Sequence, residues 1–169
     1  FLNILFQGLP KDRGLFLPSS WPLISVEELK GKTYQEIAYE IIIPYVSNDI
    51  SGKELNSIIN KTYNNFNHKN IAPLINIKEN KYILELFYGP TFAFKDYALQ
   101  FLGNLFSHIL ESSNKKITVL GATSGDTGSA AIDAFKGKDG IQVFILHPYQ
   151  MVSEVQRRQM TTVNKTNIH

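Results

Sequence analysis

A chain of 169 residues with 43% apolar content is long enough to bury a core and fits one domain or parts of two. A net charge of +2, with no lysine-arginine run longer than two, argues against a basic groove for nucleic acid and against a membrane surface. The absence of cysteine excludes disulfides, thiolate metal sites and cysteine nucleophiles, and His68, His108, His147 and His169 are scattered without ligand spacing, so no metal site is expected.

The chain opens on Phe1 rather than methionine and ends at His169 without terminal punctuation, which suggests a piece of a longer chain. No stretch has the length of a transmembrane helix and no secretory leader is recognisable, so a soluble, cytoplasmic protein is expected. Phe1 to Phe6 and the following Gly8-Leu9-Pro10 suggest a short extended run, a turn and a proline stop. Ser25, Thr33 and Ser51 each precede a glutamate by three residues, the capping-box pattern, and predict three helix starts in a helical section over residues 1–70. The middle helix is expected to stop near Pro44. The amide-rich stretch Asn64 to Asn70 closes that section.

Ile71 to Ile77 and Tyr82 to Phe87 read as two strands around a polar turn. Gly89-Pro90 breaks the second, and Phe94, Ala98, Phe101, Leu102, Leu105 and Ile109 then recur at helical spacing to about Glu111. Ile117 to Leu120 reads as a buried strand, Ser129 to Phe135 as a helix and Ile141 to Leu146 as another strand. Strand, glycine loop, helix and strand form a βαβ unit, so this half belongs to an α/β fold with a parallel sheet.

Two places carry chemistry. Lys95 falls in or beside the first turn of a helix, where the dipole and burial among Phe92, Phe94 and Phe101 would both favour a neutral amine, the form that Schiff-base chemistry needs. Asp96 acts oppositely if it faces the amine. The loop Gly121 to Gly128 lies between a strand end and a helix start, where free amides make an anion site. Gly125 and Gly128 allow close approach, and Thr123, Ser124 and Thr127 add hydroxyls. A tight turn whose glycines serve packing explains the same residues, and Asp126 would repel an anion unless it points away or meets a cation.

The run Glu85 to Asp96, with Gln100 to Asn104 on its helix, resembles the lysine segment of the threonine synthases, which depend on pyridoxal 5'-phosphate. Gly121 to Ala131 is similar to the substrate loop of that family, Val152 to Thr162 to the segment that follows it, and Gly8 to Pro18 to its N-terminal signature. The resemblance implies a fold type II, tryptophan synthase β-like architecture. Residues 1–70 would form the N-terminal section, 71–116 the start of the large cofactor domain and 117–169 a truncated small α/β subdomain. It also implies that Lys95 is the Schiff-base lysine and proton shuttle, that Phe94 and Asp126 border the cofactor, and that Thr123, Ser124, Gly125, Asp126 and Thr127 hold the substrate α-carboxylate.

The implied reaction turns O-phospho-L-homoserine and water into L-threonine and phosphate, with monomer and homodimer both open. A related pyridoxal-phosphate lyase, a dehydratase or a cysteine synthase-like enzyme, and a non-catalytic binder of a phosphorylated ligand are the alternatives. The related cysteine synthases usually have asparagine where Asp126 stands. Threonine synthases usually carry glycine and a basic residue where this chain has Gln150 and Met151. Their loop for the cofactor phosphate lies further along than His169, so the stretch alone is expected to be inactive.

Overall fold

The computed structural model describes residues 1–169 and divides into two compact units, Phe1–Asn60 and Lys61–His169. The first unit is helical: α1 (Leu2–Gln7), α2 (Val26–Leu29), α3 (Tyr34–Val46) and most of α4 (Gly52–Tyr63). Thr33 and Glu36 close a reciprocal capping box at the start of α3, and Ser51 and Glu54 do the same for α4. Ser25 makes no such bond, and α2 is a single turn. The first residues, expected to be extended, are instead helical: the Phe1 nitrogen and the Leu2 amide both reach the Asp49 carboxylate, which ties the start of α1 down. Pro44 does not stop α3, because it removes only its own amide and the helix needs just two more residues to reach Val46. Val46, Ile50, Leu55, Ile58 and Ile59 are buried.

The second unit begins with an antiparallel hairpin, β1 (Leu74–Lys78) and β2 (Lys81–Leu84), with Leu74 opposite Leu84. Its first strand starts three residues later than the apolar run suggests. Ile71 has φ 61 and Pro73 lacks an amide, so pairing cannot begin before them. Helix α5 (Asp96–Glu111) follows, then β3 (Ile117–Ala122), α6 (Asp126–Phe135), β4 (Ile141–Leu146) and α7 (Glu154–Thr161).

Strands β3 and β4 pair in parallel from Ile117 with Ile141 to Ala122 with Leu146, which makes β3-α6-β4 the expected βαβ unit. The other edge of β4 is taken by the chain end: Val143 bridges Ile168 in parallel, and the His169 carbonyl accepts from the Ile145 amide. Buried Asn167 fixes that segment, its side-chain amide donating to the carbonyls of Phe135 and Ile141 and accepting from the Gly137 amide. Strand β3 is not fully buried, as its composition suggested. Its residues alternate between half-buried and exposed, and Leu120 opens to solvent.

The core of this unit lies between the two helices and the sheet, around Leu105, Ile109, Ala130, Ile132, Phe135, Ile141 and Val143. Gly103 lets α5 and α6 meet closely, since a Cβ there would stand 2.4 Å from the Ala134 carbonyl oxygen. Gln100 and Asp133 join the same two helices by a 2.8 Å hydrogen bond. Gly103→Val should lower unfolding stability by ~1–3 kcal/mol, the range for overpacking a close interface. Denaturant melts of parent and variant measure this, and equal midpoints would contradict the close approach.

Candidate active site

The Gly89–Asp96 turn is built around a carboxylate. Asp96 is 0% exposed, and its two oxygens accept from the Thr91 amide at 2.8 Å and the Thr91 hydroxyl at 2.7 Å. Gly89 is required beside it, because a Cβ at that position would lie 2.4 Å from the Asp96 Cβ. Phe92 takes a left-handed φ of 62 to complete the turn. Burial pushes the Asp96 carboxyl up from its ordinary value, and the Thr91 bonds oppose this.

Lys95 immediately precedes α5 in helical geometry, with its Nζ 4.3 Å from the centre of the Phe94 ring. The cage of Phe92, Phe94 and Phe101 expected around it does not form. Asp96 and Ala93 fill the inside of the turn, and Phe92 and Phe94 lie outside it, 68% and 59% exposed. Asp96 has both oxygens bonded to Thr91, which answers how it faces: inward to the turn.

The glycine loop joins β3 to α6. Thr123 closes it from within, its hydroxyl accepting from the Gly125 and Gly128 amides at 3.0 Å each. Two amides that sequence alone would assign to an anion are thus bonded within the loop. The amides of Ser124, Asp126 and Thr127 remain without a bond inside the chain, on exposed residues at the N-terminus of α6. Gly125 has φ 153, and a Cβ on it would stand 2.5 Å from the Gln156 side chain.

Helix α7 brings the two places together. Ser153 caps it, accepting from the Gln156 amide and donating to Gln156 Oε1 at 3.0 Å. This orients Gln156 so that its Nε2 donates to Asp126 Oδ1 at 2.6 Å. One turn further, Gln159 Nε2 donates to the Thr91 carbonyl at 3.3 Å, and Met160 packs where a Cβ on Gly128 would go. Residues three apart share a helix face, so one face of α7 touches both the lysine turn and the glycine loop. Glu154 braces the outer side by bonds to Arg157 and Arg158, which lower its carboxyl to about 2. Sequence reasoning did not single out Gln156 or Gln159. Their spacing behind the capping Ser153 was the available signal.

Comparison with known proteins bears on this arrangement. The family profile for the threonine synthase N terminus matches residues 1–63. The threonine synthase of Pseudomonas aeruginosa is 45% identical over 172 residues, covering 100% of this chain. The crystal structure of PLP-bound threonine synthase from Brucella melitensis superposes with a TM-score of 0.91 at 40% identity, and that of the yeast enzyme with 0.89 at 41%, each covering 99% of this chain. The chain belongs to the threonine synthase family. It matches the N-terminal portion, spanning 37% of the length of the Pseudomonas protein and 36% of the yeast chain. Over this stretch it has the α/β fold of the threonine synthases.

The family also illuminates one departure. Gln150, where the resemblance implies glycine, has a φ of 55, the left-handed region in which glycine is at ease. Met151 beside it is 79% exposed. Gln150→Gly should therefore raise stability by about 0.5–1 kcal/mol despite glycine's greater freedom when unfolded. A lower melting temperature would contradict this.

Asp96 gives a pH dependence. Its folded carboxyl titrates above its unfolded value of 3.8, so the folded chain holds that proton more tightly. The contribution of Asp96 to stability is greatest below 3.8 and falls as pH rises through the folded titration. Asp96→Asn should remove this fall, so the difference in stability between variant and parent should shift in favour of the variant as pH rises from 3.8 through that window. Denaturant midpoints measured across the window test the sign.

Proposed function

We propose that the full-length protein containing this chain is a threonine synthase that converts O-phospho-L-homoserine and water into L-threonine and phosphate. The observation that carries the reading is likeness to threonine synthases along the entire chain, with an accessible primary amine at the Lys95 turn. The donor set fits pyridoxal 5'-phosphate and an amino-acid substrate: one amine at a fixed helix start, an aromatic ring beside it, and a helix N-terminus with exposed amides. When bound to a lysine amine, the cofactor supplies an electron sink for proton removal beside the substrate's amino group.

Lys95 would hold the cofactor and would take and return protons at the substrate's α-carbon. Several such transfers need one amine that cycles between charge states. Phe94 borders the cofactor. The amides of Ser124, Asp126 and Thr127, with the hydroxyls of Ser124 and Thr127, hold the α-carboxylate against the positive end of α6. Thr123 and Gly125 keep that loop in shape: Thr123 by its inward hydroxyl, Gly125 by leaving room for Gln156. Asp126 is kept off the carboxylate by Gln156 and offers its charge to polar atoms of the cofactor. The same reading places the protein in the cytoplasm; no helix is long and apolar enough to cross a membrane.

A second reading is a binder of a phosphorylated ligand without turnover. The 45% identity to the Pseudomonas enzyme favours catalysis. Phosphate release from O-phospho-L-homoserine, with threonine identified as product, should be seen with the full-length protein and be reduced at least ~10³-fold in a folded Lys95→Ala variant, about 4 kcal/mol of transition-state stabilisation. Cofactor-loaded parent that releases no phosphate would leave the binding role, and a keto acid with ammonia would indicate a dehydratase.

A further inference from the structure

At the edge of the sheet opposite the glycine loop lies a cavity of about 610 Å³. It is bounded by the last turns of α5, the loop before β3 and the turn between α6 and β4. Lys61, Lys115, Lys116, Lys136 and Lys138 line it. Glu111 and Asp139 are the only carboxylates on its wall, and Asp133 behind it pairs with Lys136, so five cations against three anions leave an excess of two positive charges. The C-termini of α5 and α6 face this edge and contribute about half a negative charge each. Their combined effect offsets roughly one lysine and leaves the cavity positive.

The decisive residue is Lys138. It is half-buried, and the hydrogen bond it makes is to a neutral acceptor, Asn104 Oδ1 at 2.8 Å. Asn104 is itself buried and fixed by Thr62 at 3.0 Å, so Lys138 is held in place by a built chain of side chains. No salt bridge reaches it, whereas Lys136 on the same wall is paired with Asp133. Burial first, and then the like charge of Lys61, pull the Lys138 ammonium below its ordinary value, while Glu111 acts in the opposite direction. A partly desolvated cation fixed beside another cation is costly unless an anion joins them. A second, independent observation lies on the same wall: the Ser113 hydroxyl is buried without a hydrogen-bond partner.

We infer that this cavity is a binding site for a phosphorylated small molecule carrying at least two negative charges, held between Lys61 and Lys138 with Ser113 as a further donor. The volume exceeds what a bare diphosphate needs and lies within the range of small-molecule pockets, which leaves room for an organic part. The site is distinct from the Lys95 turn: the two stand at opposite ends of the 16-residue helix α5, about 24 Å apart along its axis. It goes beyond the proposed reaction and does not depend on it.

Inorganic diphosphate is the probe, titrated calorimetrically into the full-length protein. Saturable binding is expected, weakened at least tenfold in a Lys61→Met, Lys138→Met variant and changed less than twofold in Lys95→Ala. Retained affinity in the double variant, absence of saturable binding to the parent, or loss in Lys95→Ala would each overturn the inference. Should the double variant fail to fold, the parent still decides: diphosphate should shift the amide resonances of Gly137 and Gly140, and an unmoved pair rejects the site. A structural role for Lys138 is separated by melting: Lys138→Met alone should keep or raise the melting temperature without ligand and lose the rise that diphosphate gives the parent. A melting temperature lowered without ligand and a ligand-induced rise that persists would assign Lys138 to structure.

Discussion

The bond from Thr91 to the buried Asp96 carboxylate is the constraint on which the lysine segment depends. Enclosing an ionised carboxylate costs several kcal/mol, and hydrogen bonds to a charged group return about 1.5–3 kcal/mol each. Two such bonds roughly offset the burial, so the interaction contributes shape more than stability. Its shape is narrow: Gly89 must lack a side chain, Phe92 must turn left-handed, and the residue before the helix is left with one backbone position. That residue is Lys95. Because both Asp96 oxygens are bonded to Thr91, the neighbouring carboxylate is held by the turn, and the Phe94 ring contacts the amine.

From this turn the constraint passes to α7 through the Thr91 carbonyl. Gln159 binds that carbonyl, and Gln156 on the same face binds Asp126 and fills the space beside Gly125. A helix of eight residues therefore touches the lysine-bearing turn and the glycine loop at once. Since Ser153 fixes the orientation of the Gln156 amide, a carboxylate in its place would meet Asp126 with like charge. This gives a physical reason for glutamine in a stretch that otherwise carries many charges.

The parts of the fold that were legible in the sequence are those where one local rule acts alone. Helix α5 follows its apolar period, β3-α6-β4 follows its apolar runs and glycine loop, and α3 and α4 begin where Thr33 and Ser51 cap them. The rule failed where a distant group decided. The first residues are helical with Asp49 binding the start, a carboxylate 48 positions away that no window over Phe1 to Phe6 contains. Ser25 offered the same capping pattern as Thr33, yet only a single turn follows it. At the candidate site Lys95 and the glycine loop were singled out from type and position. The direction of Asp96, the exposure of Phe92 and Phe94, and the inward use of Thr123 were not, because each depends on which group occupies the inside of a turn.

The two edges of the parallel sheet are built from opposite materials. At the C-terminal edge, α6 presents its positive end, and the donors are backbone amides whose positions the loop fixes. At the N-terminal edge, α5 and α6 present their negative ends, and the positive charge comes from lysine side chains that exceed what those ends compensate. Amide donors act at hydrogen-bond range and discriminate by geometry. Exposed ammonium groups act over the Debye length, about 10 Å at 0.1 M salt, and discriminate mainly by charge, although Lys138 and Ser113 add fixed points. One edge is therefore suited to orienting a reacting molecule and the other to retaining a highly charged one. The 16 residues of α5 separate the Lys95 turn from the lysine-lined cavity, so the two surfaces stand apart within one compact unit.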